Sequence, residues 1–207
     1  MTDNRVLVGG VQIASATAER LHRHVAELVR WNKAINLVSV STLADTWDRH
    51  VVDSAQLVPL APSFPSHWAD LGSGAGFPGL VVAIILAETS PETRVTLIES
   101  DRRKATFLRE VARLLGLAAT VVTERIEATA PLSADVVSAR ALASLDALIP
   151  LAARHLVHDG IALFPKGARA DKELASAAAS WSFSVERLPS ITDATAEVLR
   201  LKGLKHV

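Results

Sequence analysis

A glycine-rich turn at residues 70–79 constrains the fold more than any other part of the chain. It reads Asp-Leu-Gly-Ser-Gly-Ala-Gly-Phe-Pro-Gly, between the apolar stretch His67–Leu71 and the uncharged run Leu80–Ala87. The spaced glycines permit a tight turn whose backbone can approach a ligand, because no Cβ stands in the way. The free N–H groups at the start of the following helix point to the same place. This order of strand, turn and helix predicts a site for a nucleotide-like ligand.

Two acidic residues near the turn indicate which class of nucleotide-like ligand could bind there, a dinucleotide or a cationic nucleoside compound. A dinucleotide fingerprint needs a third glycine where this chain has Phe77. Asp70 precedes the turn, and a carboxylate there favours a cationic ligand over a pyrophosphate. Glu99 ends the next predicted strand, where a carboxylate can bind both hydroxyls of a ribose. Together the acids favour S-adenosylmethionine over NAD. The alternative is a plain glycine-rich turn with Asp70 as a helix cap.

Composition excludes several classes of protein. The chain has 207 residues, of which 49% are apolar, which suits one domain with a small extension. The absence of cysteine excludes disulfides, thiolate catalysis and zinc–cysteine sites. The longest apolar run is too short to span a bilayer, and no secretory signal is evident, so we expect a cytoplasmic protein that does not enter a membrane. Its small size and lack of an obvious exposed apolar stripe favour a monomer.

The first 66 residues are predicted to form a helical extension. An amphipathic helix is expected over residues 17–34, and a second from about Ser41, with Thr42 and Asp45 at capping-box spacing. Three prolines between residues 59 and 65 then form a stiff connector. Two helices bury little surface by themselves, so residues 1–66 are interpreted as an extension of a domain at 67–207.

From residue 67 onward, strands and helices alternate. The predicted strands are His67–Leu71, Arg94–Ser100, Thr120–Thr123, Asp135–Ala139 and Gly160–Phe164, with Phe183–Leu188 and Glu197–Leu201 as a closing antiparallel pair. The predicted helices are Leu80–Ala87, Asp101–Leu115, Leu145–Leu156 and Asp171–Ser180, and Asp101 is a suitable N-cap for the second of them. This alternation indicates an α/β fold with a mainly parallel sheet covered on both faces. Ligands of such sheets bind at the carboxyl ends of the strands.

Several further stretches carry a family resemblance. They are Asn36-Leu37, Arg49-His50 with Asp53-Ser54, Glu99-Ser100, Arg125-Ile126-Glu127, Ser138-Ala139-Arg140-Ala141 and Lys166-Gly167. With the Gly-Phe-Pro-Gly ending of the turn, they occur in the order typical of the 16S rRNA guanine-N7 methyltransferases, also called the glucose-inhibited division protein B family. The resemblance covers nearly the whole chain.

The resemblance implies a class I S-adenosylmethionine-dependent methyltransferase (Rossmann-like) sheet with an N-terminal helical extension. It implies S-adenosylmethionine as methyl donor and N7 of guanine-527 in the 16S rRNA of the small ribosomal subunit as acceptor. The family's cofactor contacts fall on Gly72, Phe77, Ile126, Glu127 and Arg140, and the turn and strand arguments add Gly74 and Glu99. Phe77 stands where many members have leucine, and it should still pack on the ligand.

The implied chemistry needs little from the protein beyond alignment. Guanine N7 has a lone pair and no proton, so no general base is required, and we name no catalytic residue and no metal ligand. Arg140 is the best candidate for positioning the cofactor or the target base. The alternative is that Arg140 only forms an ion pair with Asp70 or Glu127.

A partner RNA would require a local basic face, since the chain has 22 basic and 22 acidic residues. The candidates are Arg102, Arg103, Lys104, Arg109 and Arg113, with Lys166, Arg169, Lys172, Arg200, Lys202 and Lys205. The alternative is that they form an ordinary solvated surface. His22, His24 and His50 have no acids at metal-ligand spacing. His50 is interpreted first as a structural hydrogen-bonding group and second as an RNA contact.

Three other functions stay open at this point. The chain could methylate another RNA, a protein or a small molecule. It could be an NAD-dependent dehydrogenase, although that class should have a glycine at Phe77 and a catalytic pair in a substrate domain. It could also be a non-enzymatic RNA-binding protein, against which the intact turn and Glu99 argue.

Overall fold

The N-terminal part of the computed structural model combines a β-hairpin with helical segments. The structure describes residues 4–207, so the first three residues of the expected extension lie outside it. In order, the elements are β1 (Arg5–Val8), β2 (Val11–Ala14), α1 (Ser15–Asn32), a 3₁₀ turn (Val40–Thr42), a π-helical segment (Trp47–Val52), the short helix α2 (Asp53–Ala55) and a second 3₁₀ turn (Val58–Leu60).

The hairpin of β1 and β2 was not predicted. The two strands pair antiparallel, with Val8 opposite Val11. The signal for this hairpin is present in the sequence, because Gly9 and Gly10 form a two-residue turn between apolar runs. The predicted first helix is confirmed, although it begins two residues earlier than expected.

The prediction of one regular helix from Ser41 is wrong. The hydroxyl of Thr42 donates to the carbonyl of Ser39 (2.9 Å), and that of Thr46 donates to the carbonyl of Leu43 (2.8 Å). Such side-chain bonds to nearby carbonyls compete with regular helix geometry. The segment therefore forms a 3₁₀ turn and then a π-helical turn, and the expected capping box with Asp45 does not form.

The remainder of the chain alternates strands and helices, as predicted. The elements are β3 (His67–Leu71), α3 (Gly79–Thr89), β4 (Arg94–Ile98), α4 (Arg102–Leu114), β5 (Ala119–Val122), β6 (Ala134–Ser138), α5 (Leu145–His155), β7 (Leu156–Lys166), α6 (Ala170–Ala177), β8 (Trp181–Pro189) and β9 (Glu197–His206). The α/β class and the closing antiparallel pair are confirmed. Asp101 caps α4, as expected, by accepting from the N–H groups of Arg103 (2.8 Å) and Lys104 (3.2 Å).

The order of the strands creates one place where the chain reverses direction across the sheet. The order is β5-β4-β3-β6-β7-β9-β8, parallel except for β9, which runs antiparallel to both of its neighbours. From β3 the chain builds outward through β4 and β5, and then returns to place β6 on the other side of β3. Ligands in open α/β sheets bind at the carboxyl ends of the strands beside such a switch point.

Helix α3 is buried on every side, which explains why its sequence is apolar all round. One face lies on the sheet, and α1 and α2 pack against the other. Leu21 and Leu28 of α1 belong to the same hydrophobic core as Trp68 of β3 and Ile84 of α3. The extension and the sheet therefore share a core. Within residues 4–207, no helix combines the length and apolar character that crossing a membrane requires.

Candidate functional site

The glycine turn exposes its backbone at two positions. From the start of β3 to Leu86, every residue is buried except Gly72 and Gly74, which are partly exposed. The N–H of Ser73 donates to the carbonyl of Ile98 (3.0 Å), which fixes the turn on the end of β4. Gly74 has a φ of +55°, and a Cβ there would meet nothing nearer than 3.7 Å. The turn thus presents bare backbone to an open space at the carboxyl edge of the sheet.

Asp70 lies beneath the turn and does not face a ligand, so that part of the sequence prediction is wrong. Its side chain is fully buried. One carboxylate oxygen accepts from the Ser138 hydroxyl (2.7 Å), and the other accepts from the N–H of Gly79 (3.1 Å) at the start of α3. Burial raises the pKa of Asp70 to about 6, although these hydrogen bonds oppose the shift. The alternative interpretation, a helix cap, describes Asp70 correctly.

Glu99 lies at the rim of the turn, immediately after β4. Its side chain is 8% exposed. One carboxylate oxygen accepts from the N–H of Gly74 (2.9 Å), and the other accepts from the N–H of Asp101 (2.7 Å). Each carboxylate oxygen can accept a further hydrogen bond. Glu99 therefore places an acceptor next to the exposed backbone of the turn, in the position where the sequence predicts ribose recognition.

Phe77 connects the turn to the N-terminal extension. It is 5% exposed. Its ring centroid lies 4.9 Å from that of His24 and 5.0 Å from that of His50, and the guanidinium carbon of Arg140 lies 5.3 Å from it. Both histidines belong to the extension, whereas Arg140 follows β6. Phe77 is therefore nearly buried between side chains of the extension and of the sheet's loops.

His24 holds the glycine turn from α1. Its Nε2 lies 2.9 Å from the carbonyl oxygen of Ala75, which can only accept, so Nε2 carries the proton. Nδ1 is buried without a hydrogen-bond partner. Burial lowers the pKa of His24 to about 4, with the bond to Ala75 opposing the shift. The imidazole is therefore neutral at physiological pH and fixes the position of the turn.

Arg140 follows β6 and binds the N-terminal extension. Its Nη1 donates to a carboxylate oxygen of Asp53 (3.0 Å) and to the carbonyl of Arg49 (3.0 Å), and its Nη2 donates to Nδ1 of His50 (2.9 Å). The side chains of Arg140 and Asp53 are only 16% and 15% exposed. The alternative interpretation, an ion pair of Arg140 with Asp70 or Glu127, names the wrong partner, because Arg140 pairs with Asp53.

His50 is confirmed as a hydrogen-bonding group. Its Nδ1 accepts from Arg140, so the proton is on Nε2, which lies 3.2 Å from the hydroxyl of Thr42. Burial and the positive charge of Arg140 lower the pKa of His50 to about 4. The neutral ring can therefore accept from Arg140 while it stacks on Phe77.

Ile126 and Glu127 lie in the loop after β5. Ile126 is 8% exposed and belongs to the core on the second face of the sheet, while Glu127 is exposed. The Ile126 carbonyl lies 3.1 Å from Nε2 of the buried His155, which fixes this loop on α5. Both residues follow β5, which ends at the carboxyl edge of the sheet, and their contact with a ligand stays a prediction. In the part of the chain that the structure describes, no cluster of His, Asp and Glu has a composition suited to a metal ion.

An open cleft of about 1040 Å³ lies beside the turn, at the carboxyl ends of β6 and β7. Its walls come from the extension, the loop after β6, the loop after β7 and the β8–β9 connection. The lining residues include Arg49, Asp53, Arg140, Leu142, Lys166, Arg169, Thr192 and Asp193. Besides Arg140, its basic residues are Arg49 from the extension and Lys166 and Arg169 from the end of β7 and the loop after it.

Leu142 separates the cleft from the glycine turn. It lines the cleft and is 38% exposed. A Cβ added to Gly72, whose φ is +67°, would lie 2.6 Å from Cδ1 of Leu142. The positive φ favours glycine at this position, and the absent Cβ leaves room for the Leu142 side chain against the turn. The turn and the cleft are therefore neighbouring sites with one leucine between them.

Sequence reasoning missed four residues of this arrangement: His24, Asp53, Leu142 and Thr192. Asp53 belongs to a stretch that the sequence analysis singled out, but no pattern in the sequence links it to Arg140. His24 lies on the apolar stripe of α1, four residues from Leu28, so its burial could have been expected from helical periodicity.

The chain is similar in sequence to one family of known proteins over nearly its whole length. Residues 17–200 match the family model GidB, described as rRNA small subunit methyltransferase G. A ribosomal RNA small subunit methyltransferase G of Cereibacter sphaeroides is 53% identical over 197 residues, which is 95% of this chain and 96% of that protein. The protein of the same name from Rhodospirillum centenum is 55% identical over 192 residues, covering 93% and 87% of the two chains.

A solved structure shares the fold at much lower identity. A TehB-like SAM-dependent methyltransferase from Corynebacterium glutamicum aligns with a TM-score of 0.60 and 14% identity, over 88% of this chain and 99% of that one. This likeness shows a common arrangement of the sheet and its helices.

The buried imidazole of His24 predicts a specific loss of stability in acid. Its pKa is lowered from 6.5 to about 4, so the unfolded chain binds a proton that the native protein does not bind. The stabilisation is complete above pH 6.5 and is lost as the pH falls toward 4. His24→Gln, which can still donate to Ala75, should reduce the change in stability between pH 7 and pH 4.5 by roughly 2 kcal/mol. Urea unfolding at pH 4.5 and pH 7 measures it.

His22→Gln provides the control, because His22 lies at the surface stacked on Trp47. It should leave the pH dependence of unfolding close to that of the wild type. Equal pH dependence in the wild type and His24→Gln would contradict the assignment of a buried neutral His24.

Proposed function

The chain belongs to the GidB family, rRNA small subunit methyltransferase G, and from this premise we propose that it methylates N7 of guanine-527 in 16S rRNA. The family assignment confirms the expected activity, cofactor and fold. The chain is an S-adenosylmethionine-dependent rRNA methyltransferase with a class I sheet preceded by helices. The position and the atom that receive the methyl group are the proposal.

The exposed backbone of the glycine turn fits S-adenosylmethionine. When bound, this cofactor supplies an electrophilic methyl group. The open face of Gly74 and the adjoining Gly72 allow close approach of a ligand, and Glu99 offers an acceptor for hydroxyl groups. Phe77 and Ile126 provide nearly buried apolar surfaces. We assign the cofactor to these residues together with two charged side chains, Glu127 and Arg140.

Asp70 also favours this cofactor over a dinucleotide. Its buried carboxylate accepts from the first N–H of α3 and lies at the positive end of that helix. A pyrophosphate would compete with this anion for the same helix terminus. A sulfonium compound needs no such anion site, so the occupied helix terminus is compatible with it.

The position of Leu142 supports placing the methyl acceptor in the cleft. Leu142 lies against the turn on one side and lines the cleft on the other. A base in the cleft would therefore lie next to a cofactor on the turn, which methyl transfer requires. The cleft is wide enough for a nucleotide, and its basic residues Arg49 and Arg169 suit a phosphate backbone. We place the target guanine in this cleft.

Methyl transfer to N7 places modest demands on the side chains at the site. The N7 lone pair attacks without losing a proton, so the residues need to align two ligands and exclude water, which is worth up to roughly 7–11 kcal/mol. The neutral His24 and His50 and the carboxylates of Asp53 and Asp70 are each engaged in fixed hydrogen bonds. None is needed as a base. The proposal further includes a monomer that acts in the cytoplasm without a metal.

The decisive experiment maps the methylated nucleotide. Small ribosomal subunits from cells lacking this protein are incubated with it and radiolabelled S-adenosylmethionine. The label should appear at guanine-527, where alkaline strand scission identifies N7-methylguanine. Free 16S rRNA, tested in parallel, shows whether the assembled subunit is required. Label at another nucleotide or another atom would refute the proposed acceptor, and label on protein only would favour the alternative methyltransferase function.

A matched pair of variants at Gly74 tests the cofactor site. Asp and Asn both tolerate a φ of +55° better than other side chains, and the space above Gly74 is open. Gly74→Asp adds a negative charge beside Glu99, whereas Gly74→Asn adds nearly the same volume without charge. We expect Gly74→Asp to weaken binding of S-adenosylhomocysteine by about 100-fold or more, and Gly74→Asn to weaken it less. Titration calorimetry on variants with wild-type circular dichroism measures both. Unchanged affinity in Gly74→Asp would move the site elsewhere.

The start of α4 is the proposed RNA face nearest the turn. Arg102 and Arg103 are exposed and follow Glu99 by a few residues. Replacing both by glutamine should weaken RNA binding and reduce the slope of log K against log salt by about 1.5. Arg113→Gln gives the comparison within the same set of candidates: Arg113 lies at the far end of α4 and pairs with Glu110, so we expect it to change the salt slope less. An unaltered salt slope in the double variant would place the RNA face elsewhere.

A further inference from the structure

The guanidinium of Arg140 is held by the N-terminal extension. Its three hydrogen bonds described above go to Asp53, to the Arg49 carbonyl and to His50, all within one short segment. Asp53 supplies the negative charge among these three partners. Arg140 itself stands on the loop after β6, so the ion pair joins positions 87 residues apart.

The carboxylate of Asp53 is also oriented by hydrogen bonds to residues other than Arg140. Its Oδ1 accepts from Nε2 of Gln56 (2.8 Å) and from the hydroxyl of Thr192 (3.2 Å), which leaves Oδ2 for Arg140. Thr192 belongs to the β8–β9 connection, and Gln56 also accepts from the N–H of Ile191 there (3.0 Å). Asp53 is thus fixed from two directions and presents one oxygen to the guanidinium.

The ion pair stands between the two proposed binding sites. Asp53 and Arg140 both line the cleft, and the guanidinium carbon lies 5.3 Å from the centroid of Phe77 under the glycine turn. Both side chains are more than four-fifths buried, so solvent screens the pair less than a surface pair. A long arginine side chain can take several orientations, and a fixed carboxylate selects one of them.

We propose that Asp53 is a positioning residue for methyl transfer, which holds Arg140 over Phe77 in the orientation that receives the cofactor. This inference rests on the proposed role of Arg140 as a cofactor contact. Asp53 acts through Arg140. The helical extension thereby contributes to the proposed cofactor site, whose other residues lie in loops of the sheet. The expected result is a change in cofactor affinity that depends on the presence of Arg140.

A double-mutant cycle on the full-length protein tests this dependence. Asp53→Asn keeps the size of the side chain and removes its charge, and Arg140→Gln removes the guanidinium. Each should raise the Kd for S-adenosylhomocysteine about tenfold, while the double variant should be scarcely weaker than Arg140→Gln alone. Asp53→Glu should restore part of the affinity. Asp48→Asn removes an exposed carboxylate from the same segment and should leave the Kd unchanged.

The outcomes separate this inference from the proposed function. Wild-type affinity in Arg140→Gln would overturn the assignment of Arg140 as a cofactor contact. Loss of affinity in Arg140→Gln but not in Asp53→Asn would overturn the role of Asp53 alone. Additive losses in the double variant would also overturn it, since Asp53 would then act by another route. If Asp53→Asn does not fold, Thr192→Val removes one of the two hydrogen bonds to Oδ1 of Asp53. A Kd that rises two- to threefold only when Arg140 is present supports the inference, whereas an unchanged Kd contradicts it.

Discussion

The buried carboxylate of Asp70 is the interaction on which the site depends most. It joins β3 to β6 through the Ser138 hydroxyl and joins both strands to the first N–H of α3. Ser138 in turn accepts from the indole N–H of Trp68 (2.9 Å), so the network continues into the core. A buried charge is costly unless its hydrogen bonds are satisfied. These connected hydrogen bonds therefore fix the relative positions of β3, β6 and α3 at the switch point of the sheet. The glycine turn lies directly above the Asp70 carboxylate.

The N-terminal extension is part of the site as well as of the core. It buries the outer face of α3, whose apolar residues would otherwise meet water. It also forms three hydrogen bonds at the site. His24 donates to the Ala75 carbonyl, and Arg140 donates to His50 and to Asp53. Ala75 and Arg140, which the extension contacts in this way, follow β3 and β6 at the carboxyl edge of the sheet. The glycine turn and the loop after β6 are thus held in place by residues that precede the sheet in the chain.

Two neighbouring sites suit a reaction in which alignment does most of the work. The turn offers exposed backbone and the cleft offers a basic, open wall, with Leu142 between them. The ionisable groups nearest the boundary are committed to hydrogen bonds or ion pairs, which keeps them in fixed positions. Such an arrangement fits the proposed transfer to a nucleophile that already carries a lone pair.

The sequence by itself determined the alternating strands and helices, the glycine turn, the cap at Asp101 and the place of Glu99, because each depends on local periodicity or on residues a few positions apart. It also contained the signal for the N-terminal hairpin in Gly9 and Gly10. Only the tertiary structure decided that Asp70 is buried beneath the turn and that Arg140 binds Asp53 instead of Asp70 or Glu127. Both depend on which strands become neighbours and on how the extension packs across them. A side chain's partner 68 or 87 residues away is chosen by that packing, and no local pattern in the chain encodes it.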